Sequence, residues 1–160
     1  MKYTKKGITI AILIAVIVVL LIIVSAVTVS YFQIKVSTQK RAFANEIYTI
    51  GKLYEKYNLE HGNTDPEKGD FTLDMNSIHE KSKEQFAGEP GYTSGILTLT
   101  KLDLSAMDVE TVNRGLEKEG ETDIYAFSKD TGKVYYIQGE KIGNTVYYTL
   151  TDELRSLLAI

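Results

Sequence analysis

From Ile8 to Val29 the chain reads ITIAILIAVIVVLLIIVSAVTV, 22 residues without a charge. At 1.5 Å of rise per residue such a segment is about 33 Å long as a helix, enough to cross the hydrocarbon core of a bilayer. A helix lying on a small soluble core would carry a polar face, and this one has none. A cleaved secretory signal has a shorter apolar region, about 7 to 15 residues, ending in a small-residue cleavage site, and this run exceeds it. The expectation is one transmembrane helix over 8–29. The roughly 130 residues that follow suffice for one compact domain and are too few for two well-built cores.

Orientation is less directly written, because Lys2, Lys5 and Lys6 before the run are matched by Lys35, Lys40 and Arg41 after it. The six residues before Gly7 nonetheless concentrate three Lys and the α-amino group close to the membrane. That favours a cytoplasmic N-terminus and an extracytoplasmic domain.

The helix is expected to continue beyond the membrane, since neither Pro nor Gly occurs between Ser30 and Ile50. Apolar residues recur at Phe32, Val36, Phe43, Ile47, Ile50, Tyr54 and Tyr57, in steps of 3, 4 and 7 that mark one helical face. Phe43, Ile47, Ile50 and Tyr54 are the residues expected to pack this face on a sheet. Gln33, Lys35, Gln39, Lys40, Asn45, Glu46, Lys52 and Glu55 are assigned to the opposite, polar face. One helix of about 50 residues, roughly 75 Å long, then changes its surroundings midway.

Charge and composition narrow the chemistry. The net charge is -3, and setting aside Lys2, Lys5 and Lys6 leaves 15 basic against 21 acidic residues, so nucleic acid is not an expected partner. The absence of Cys excludes disulfides and thiolate metal sites. With two well-separated His, no Ser in a nucleophile elbow and no Gly-rich phosphate loop after a strand, no catalytic residue, cofactor or metal is assigned, and the chain is not expected to be an enzyme. Asp65, Glu67 and Asp70 lie in a turn-rich stretch from Gly62 but lack the alternation and closing bidentate Glu of a calcium loop. They are expected to be solvated, as are Glu117, Glu119 and Glu121. His79, among Lys and Glu, is expected at the surface.

In the domain, Asn76 or Ser77 is placed to cap a short helix to about Phe86, and Ile96–Thr100 alternates as a strand. A helix is predicted within Asp103–Asn113, capped at Ser105 with Met107, Val109 and Val112 inward. Asp123–Phe127 and Lys133–Gln138 form a hairpin whose turn, Lys129–Gly132, needs a positive φ at Gly132. Val146–Leu150 supplies a further strand, and Thr151 or Asp152 caps a last helix through Leu158. The chain has 11 Tyr, 5 Phe and no Trp. Tyr125, Tyr135, Tyr136, Tyr147 and Tyr148 suit half-buried strands, ring inward and hydroxyl in water. The expected fold is α+β: a long N-terminal helix packed on a small antiparallel sheet of three or four strands.

The junction Lys5-Lys6-Gly7-Ile8-Thr9, a short basic leader ending in Gly before an apolar run, resembles the leader of type IV pilins and type II secretion pseudopilins. Tyr54-Glu55-Lys56-Tyr57-Asn58-Leu59-Glu60-His61-Gly62-Asn63 is similar to the segment closing the long helix of many pseudopilins, although Thr64-Asp65-Pro66 departs from the family's usual Tyr-Pro. Asp123–Leu150, with strands around Thr131-Gly132-Lys133-Val134-Tyr135-Tyr136, resembles the C-terminal sheet of pilin-like proteins of bacteria with a single membrane. The resemblance implies a prepilin peptidase that cuts between Gly7 and Ile8 and methylates the new N-terminus. It divides the chain into a leader (1–7), a transmembrane helix (8–29), an amphipathic continuation (30–60) and a globular domain (61–160). It also implies a pilin-like fold, and the membrane, the peptidase and other pilin or pseudopilin subunits as partners. One departure matters: the family's usual Glu at the fifth mature position is Ile12 here, and a carboxylate kept in lipid is costly and functional. In the family that Glu is thought to pair with a neighbour's free amine during assembly. Its replacement implies a minor subunit, at a tip, or a relative that never polymerises.

The expected function is therefore structural, as a subunit of a type IV pilus or a type II secretion pseudopilus assembled through its N-terminal helix. The alternative is an uncleaved single-pass anchored domain that binds an external ligand, as a receptor or adhesin.

Overall fold

The computed structural model of the chain describes residues 5–62, 66–109 and 112–158, with side chains from Leu13 onward apart from Ala26. Helix α1 spans Lys5–Glu60. It is long and apolar enough near the N-terminus to cross a membrane. The chain divides into two compact units, Met1–Thr38 and Gln39–Ile160.

In the first unit every large apolar side chain from Leu13 to Val29 is exposed, from 48% at Ile17 and Val18 to 63% at Ile22 and Val27. The two hydroxyls of known direction in this stretch turn back on their own helix. Ser25 Oγ donates to the Leu21 carbonyl (2.7 Å) and Thr28 Oγ1 to the Val24 carbonyl (2.8 Å). A hydroxyl satisfied by the preceding turn needs no water, so it is tolerated in hydrocarbon.

The second unit is an α+β domain in which the C-terminal part of α1 packs on a five-stranded antiparallel sheet, one strand more than the upper expectation. The strands are β1 (Glu67–Asp74), β2 (Ile96–Leu102), β3 (Tyr125–Phe127), β4 (Val134–Ile142) and β5 (Thr145–Thr149). They lie side by side in chain order. Phe43, Ile47 and Ile50 are buried and Tyr54 is half-buried. The Phe43 ring meets Tyr136 of β4 edge-on at 6.4 Å, and Tyr54 lies 4.6 Å from Phe127 of β3.

The other face of the sheet is covered too. Leu73, Leu97, Leu99, Ala126, Tyr135, Ile137 and Tyr148 form a second apolar layer with Met75, Ile78 and Phe86. Met75 and Phe86 come from two short 3-10 helices, Met75–Ser77 and Glu80–Phe86, where a single helix was expected. Phe86 stacks on Tyr135 at 4.8 Å. With both faces covered, the strand tyrosines are buried rather than half-wet: Tyr125, Tyr135, Tyr136, Tyr147 and Tyr148 are each at most 5% exposed.

Three local expectations are revised. The stretch expected to be a turn-rich acidic loop becomes β1 from Glu67, an edge strand whose only fully buried side chain is Leu73. Its pattern is too polar to read as a strand, and pairing with β2 from Asp70–Thr100 to Asp74–Ile96 creates it. Asp65, with Asn63 and Thr64, lies outside the described residues. No helix forms at 103–109. Asp103 Oδ1 accepts from the N–H of Ser105 (3.0 Å) and Ala106 (3.2 Å), and Asp108 at φ 55 ends the turn. Leu104 and Met107 are nevertheless buried. The last helix, α2, covers Asp152–Arg155, short of Leu158, with Thr151 Oγ1 accepting from the Leu154 N–H (3.3 Å). The β3–β4 turn keeps its expected form: Gly132 has φ 68 and donates to the Ser128 carbonyl (2.8 Å).

Candidate functional site

Three carboxylates that charge patterning assigns to solvent, or leaves unremarked, turn inward. Asp123, just before β3, is 3% exposed. Its Oδ1 accepts from the Gly115 N–H (2.7 Å) and the Tyr136 hydroxyl (3.0 Å), and its Oδ2 from the N–H of Lys118 (3.0 Å) and Glu119 (3.3 Å). Burial works against the charge, but the Gly115 N–H, the Tyr136 hydroxyl and the other two N–H groups outweigh it and hold the carboxyl below its ordinary range. The loop can wrap this tightly because Gly115 has φ 75. A Cβ there would stand 2.3 Å from Tyr125 Cδ2.

Glu46 tethers the same loop to α1. It accepts from the N–H of Asn113 and Arg114 (both 3.2 Å), from the Tyr125 hydroxyl (3.1 Å) and from Arg114 Nη1. Arg114 Nε reaches Glu140 of β4 at 2.9 Å, and its guanidinium lies 5.5 Å from the centre of the Phe43 ring. Burial disfavours the Arg114 charge, and the hydrogen bond to Glu140 with the charge of Glu46 more than offsets it, so its pKa is raised. Burial first, and the Glu46 charge second, push the Tyr125 hydroxyl well above the ordinary tyrosine value. Burial and the bond to Asp123 do the same to Tyr136.

Glu89, 5% exposed, forms a separate group behind the β3–β4 turn. Its Oε1 accepts from Thr131 Oγ1 (2.5 Å) and the Tyr135 hydroxyl (2.6 Å). Tyr135 too is raised, by burial and then by this bond. All three tyrosines thus act as hydrogen-bond donors and are poorly suited to serve as bases near neutral pH.

Beside this group a cleft of about 650 Å³ opens between α1, the Glu80–Phe86 helix, the β3–β4 turn and the end of β5, lined among others by Ile47, Tyr48, Gln85, Lys133, Leu150 and Arg155. That volume suits a small ligand or a few residues of peptide. The cleft's three threonine hydroxyls are engaged structurally: Thr131 with Glu89, Thr149 with the Val134 carbonyl (2.6 Å) and Thr151 as the cap of α2. Lys52 pairs with Glu55 at 2.7 Å. No group of three His, Cys, Asp or Glu among the described residues is placed to hold a metal ion.

No protein-family model matches the chain, and neither a curated protein nor a solved structure matches it significantly.

Of the residues singled out in the sequence, Phe43, Ile47, Ile50 and Tyr54 are brought together on the sheet as described. Of the leader residues, Lys2 lies outside the described residues. The side chains of Lys5, Lys6 and Ile8 also lie outside them, as does that of Ile12, and for Gly7 only its place in α1 is described. Lys40 and Glu46, assigned to the polar face, instead face the domain. Lys40 Nζ reaches Glu153 of α2 at 2.5 Å, and Glu46 holds Arg114. The signal was in the spacing, since 40 and 46 each lie three or four residues from 36, 43 or 50 and so flank the apolar stripe. Nothing local marks Glu89 as buried, because its donors Thr131 and Tyr135 lie 42 and 46 residues away, whereas Asp123 takes three of its four donors from the loop just before it.

Proposed function

We propose that the chain is a membrane-anchored structural subunit that works by assembling. After cleavage between Gly7 and Ile8, its N-terminal helix leaves lipid and packs against the corresponding helices of other pilin or pseudopilin subunits. The observation that carries this reading is the apolar surface of α1, on which every described side chain from Leu13 to Val29 is exposed. Such a surface needs lipid or other helices as its surroundings. The carboxylate networks fit a non-catalytic role, since each fastens one element to another and none presents a nucleophile to a base. In this reading the domain lies outside the cytoplasm, the membrane and the prepilin peptidase are the early partners, and Ile12 makes the chain a minor subunit.

N-terminal mass spectrometry of the chain from cells with and without a prepilin peptidase tests it. The expected result is a mature chain beginning at a methylated Ile8 only where the peptidase is present. An intact Met1 in the peptidase-positive cells would overturn it. The cleft favours one second reading, an uncleaved anchored domain that binds a ligand there, and an intact N-terminus would leave that reading standing.

A further inference from the structure

The two edges of the sheet are finished differently. β1 carries a register shift between Glu67 and Asp70, and its charges are engaged: Glu67 with Lys129, and Lys68 with Asp103 at 3.7 Å. Bulges and charges of this kind discourage a further strand. β5, Thr-Val-Tyr-Tyr-Thr, carries no charge and its residue types favour strands; the register shift in its ladder with β4, between Tyr135 and Glu140, puts the extra residues on β4 and not on the outer edge. Its outer edge is instead occupied by a side chain. Gln85 Nε2 donates to the Val146 carbonyl (2.8 Å), and the Tyr148 N–H donates to Gln85 Oε1 (2.8 Å). Ser82 Oγ donates to the same Val146 carbonyl at 2.6 Å. The Val146 carbonyl and the Tyr148 N–H both point out of the sheet, where a further strand of either direction would pair with them, so the carboxamide stands in for a peptide group. Phe86, stacked on Tyr135 and 5.4 Å from Tyr148, fastens the short helix that aims Gln85 at the edge.

We infer that Gln85, assisted by Ser82, guards the β5 edge against pairing with β5 of a second copy of this chain. A second copy is the fitting occupant because an edge with matched donors and acceptors is self-complementary about a two-fold axis. Among the described residues, the other edge of the sheet is the bulged, charged β1. The inference goes beyond the proposed function and holds whether or not the leader is cleaved.

The test uses the full chain in detergent micelles. Gln85→Leu removes both amide contacts at nearly constant side-chain volume. Relative to wild type in the same detergent, light scattering is expected to show additional dimer growing with concentration. Hydrogen exchange at the Tyr148 amide should be about tenfold faster or more in dilute samples and slow again as the dimer forms. Association through α1 is common to both chains and cancels in the comparison. A Gln85→Leu chain with the wild-type mass at every concentration overturns the inference. So does a dimer whose Tyr148 amide stays unprotected, because the contact then lies elsewhere. Should circular dichroism show that Gln85→Leu does not fold, Gln85→Asn, which withdraws the carboxamide by one methylene, takes its place. The same two measurements then apply, and the same outcomes support or overturn the inference.

Discussion

Asp123 gathers four donors, three from the backbone of one loop and one from Tyr136, and so ties that loop to β4. Removing the carboxylate leaves those donors buried without acceptors. Asp123→Ala should lower the domain's unfolding free energy by roughly 3 kcal/mol, read as a shift in the urea midpoint at unchanged slope. Gly115→Ala attacks the same loop from the other side. It sets a Cβ against Tyr125 and asks Ala to hold φ 75, which should cost about 2 to 3 kcal/mol by the same measurement. A loss below about 0.5 kcal/mol for both variants would show that the loop is not held in this way.

At the scale of elements, titration reports how the helix, loop and sheet are joined. The Asp123 carboxyl sits below its ordinary value of 3.8, and Glu153, held by Lys40 and then Tyr147, below 4.5. The unfolded chain therefore binds more protons in this range. The stability these groups contribute is fully present above their ordinary values and is lost as pH falls through the depressed ones. Asp123 should dominate because Glu153 is 56% exposed and screened by water. Urea unfolding at a series of pH values should show a plateau down to about pH 5 and a decline below about pH 4, blunted in Asp123→Ala. At the alkaline end, Tyr125, Tyr135 and Tyr136 are raised above 10.0, so their contribution is intact below that value and lost as pH rises past it. Phenolate absorbance should accordingly show these three tyrosines ionising only as the circular dichroism of the fold disappears. The apolar part of α1, long enough to cross a membrane, has its own test. Leu20→Arg places a charge in the middle of the apolar run and should weaken insertion by about 3 kcal/mol, seen as chain released from membranes by alkaline extraction.

For the whole molecule, replacing Gly7 with Val should leave the chain at its full length in cells where the unaltered chain is shortened, a difference visible on a gel. The membrane-length apolar run, the amphipathic stripe through Phe43, Ile47 and Ile50, and the β3–β4 turn at Gly132 are all legible in the amino-acid sequence. Each is a property of one segment: its hydropathy, its period, or the φ that its turn demands. β1 is not legible there, because a strand as polar as Glu67–Asp74 exists only through its ladder with β2. The expected helix at 103–113 followed a real apolar spacing, yet the Asp103 carboxylate offered the backbone a competing turn. Glu46 and Glu89 are hidden for the same reason as β1, since Glu46 meets Arg114 and Tyr125 across 68 and 79 residues of chain and Glu89 meets Thr131 and Tyr135 across 42 and 46. Local composition settled that this chain carries one membrane-length helix and an α+β domain, because burial preference and periodicity are written residue by residue. Which strand lies at each edge, how the second face of the sheet is covered, and which carboxylates are buried were decided only by tertiary closure, because each depends on partners that folding alone brings within hydrogen-bonding distance.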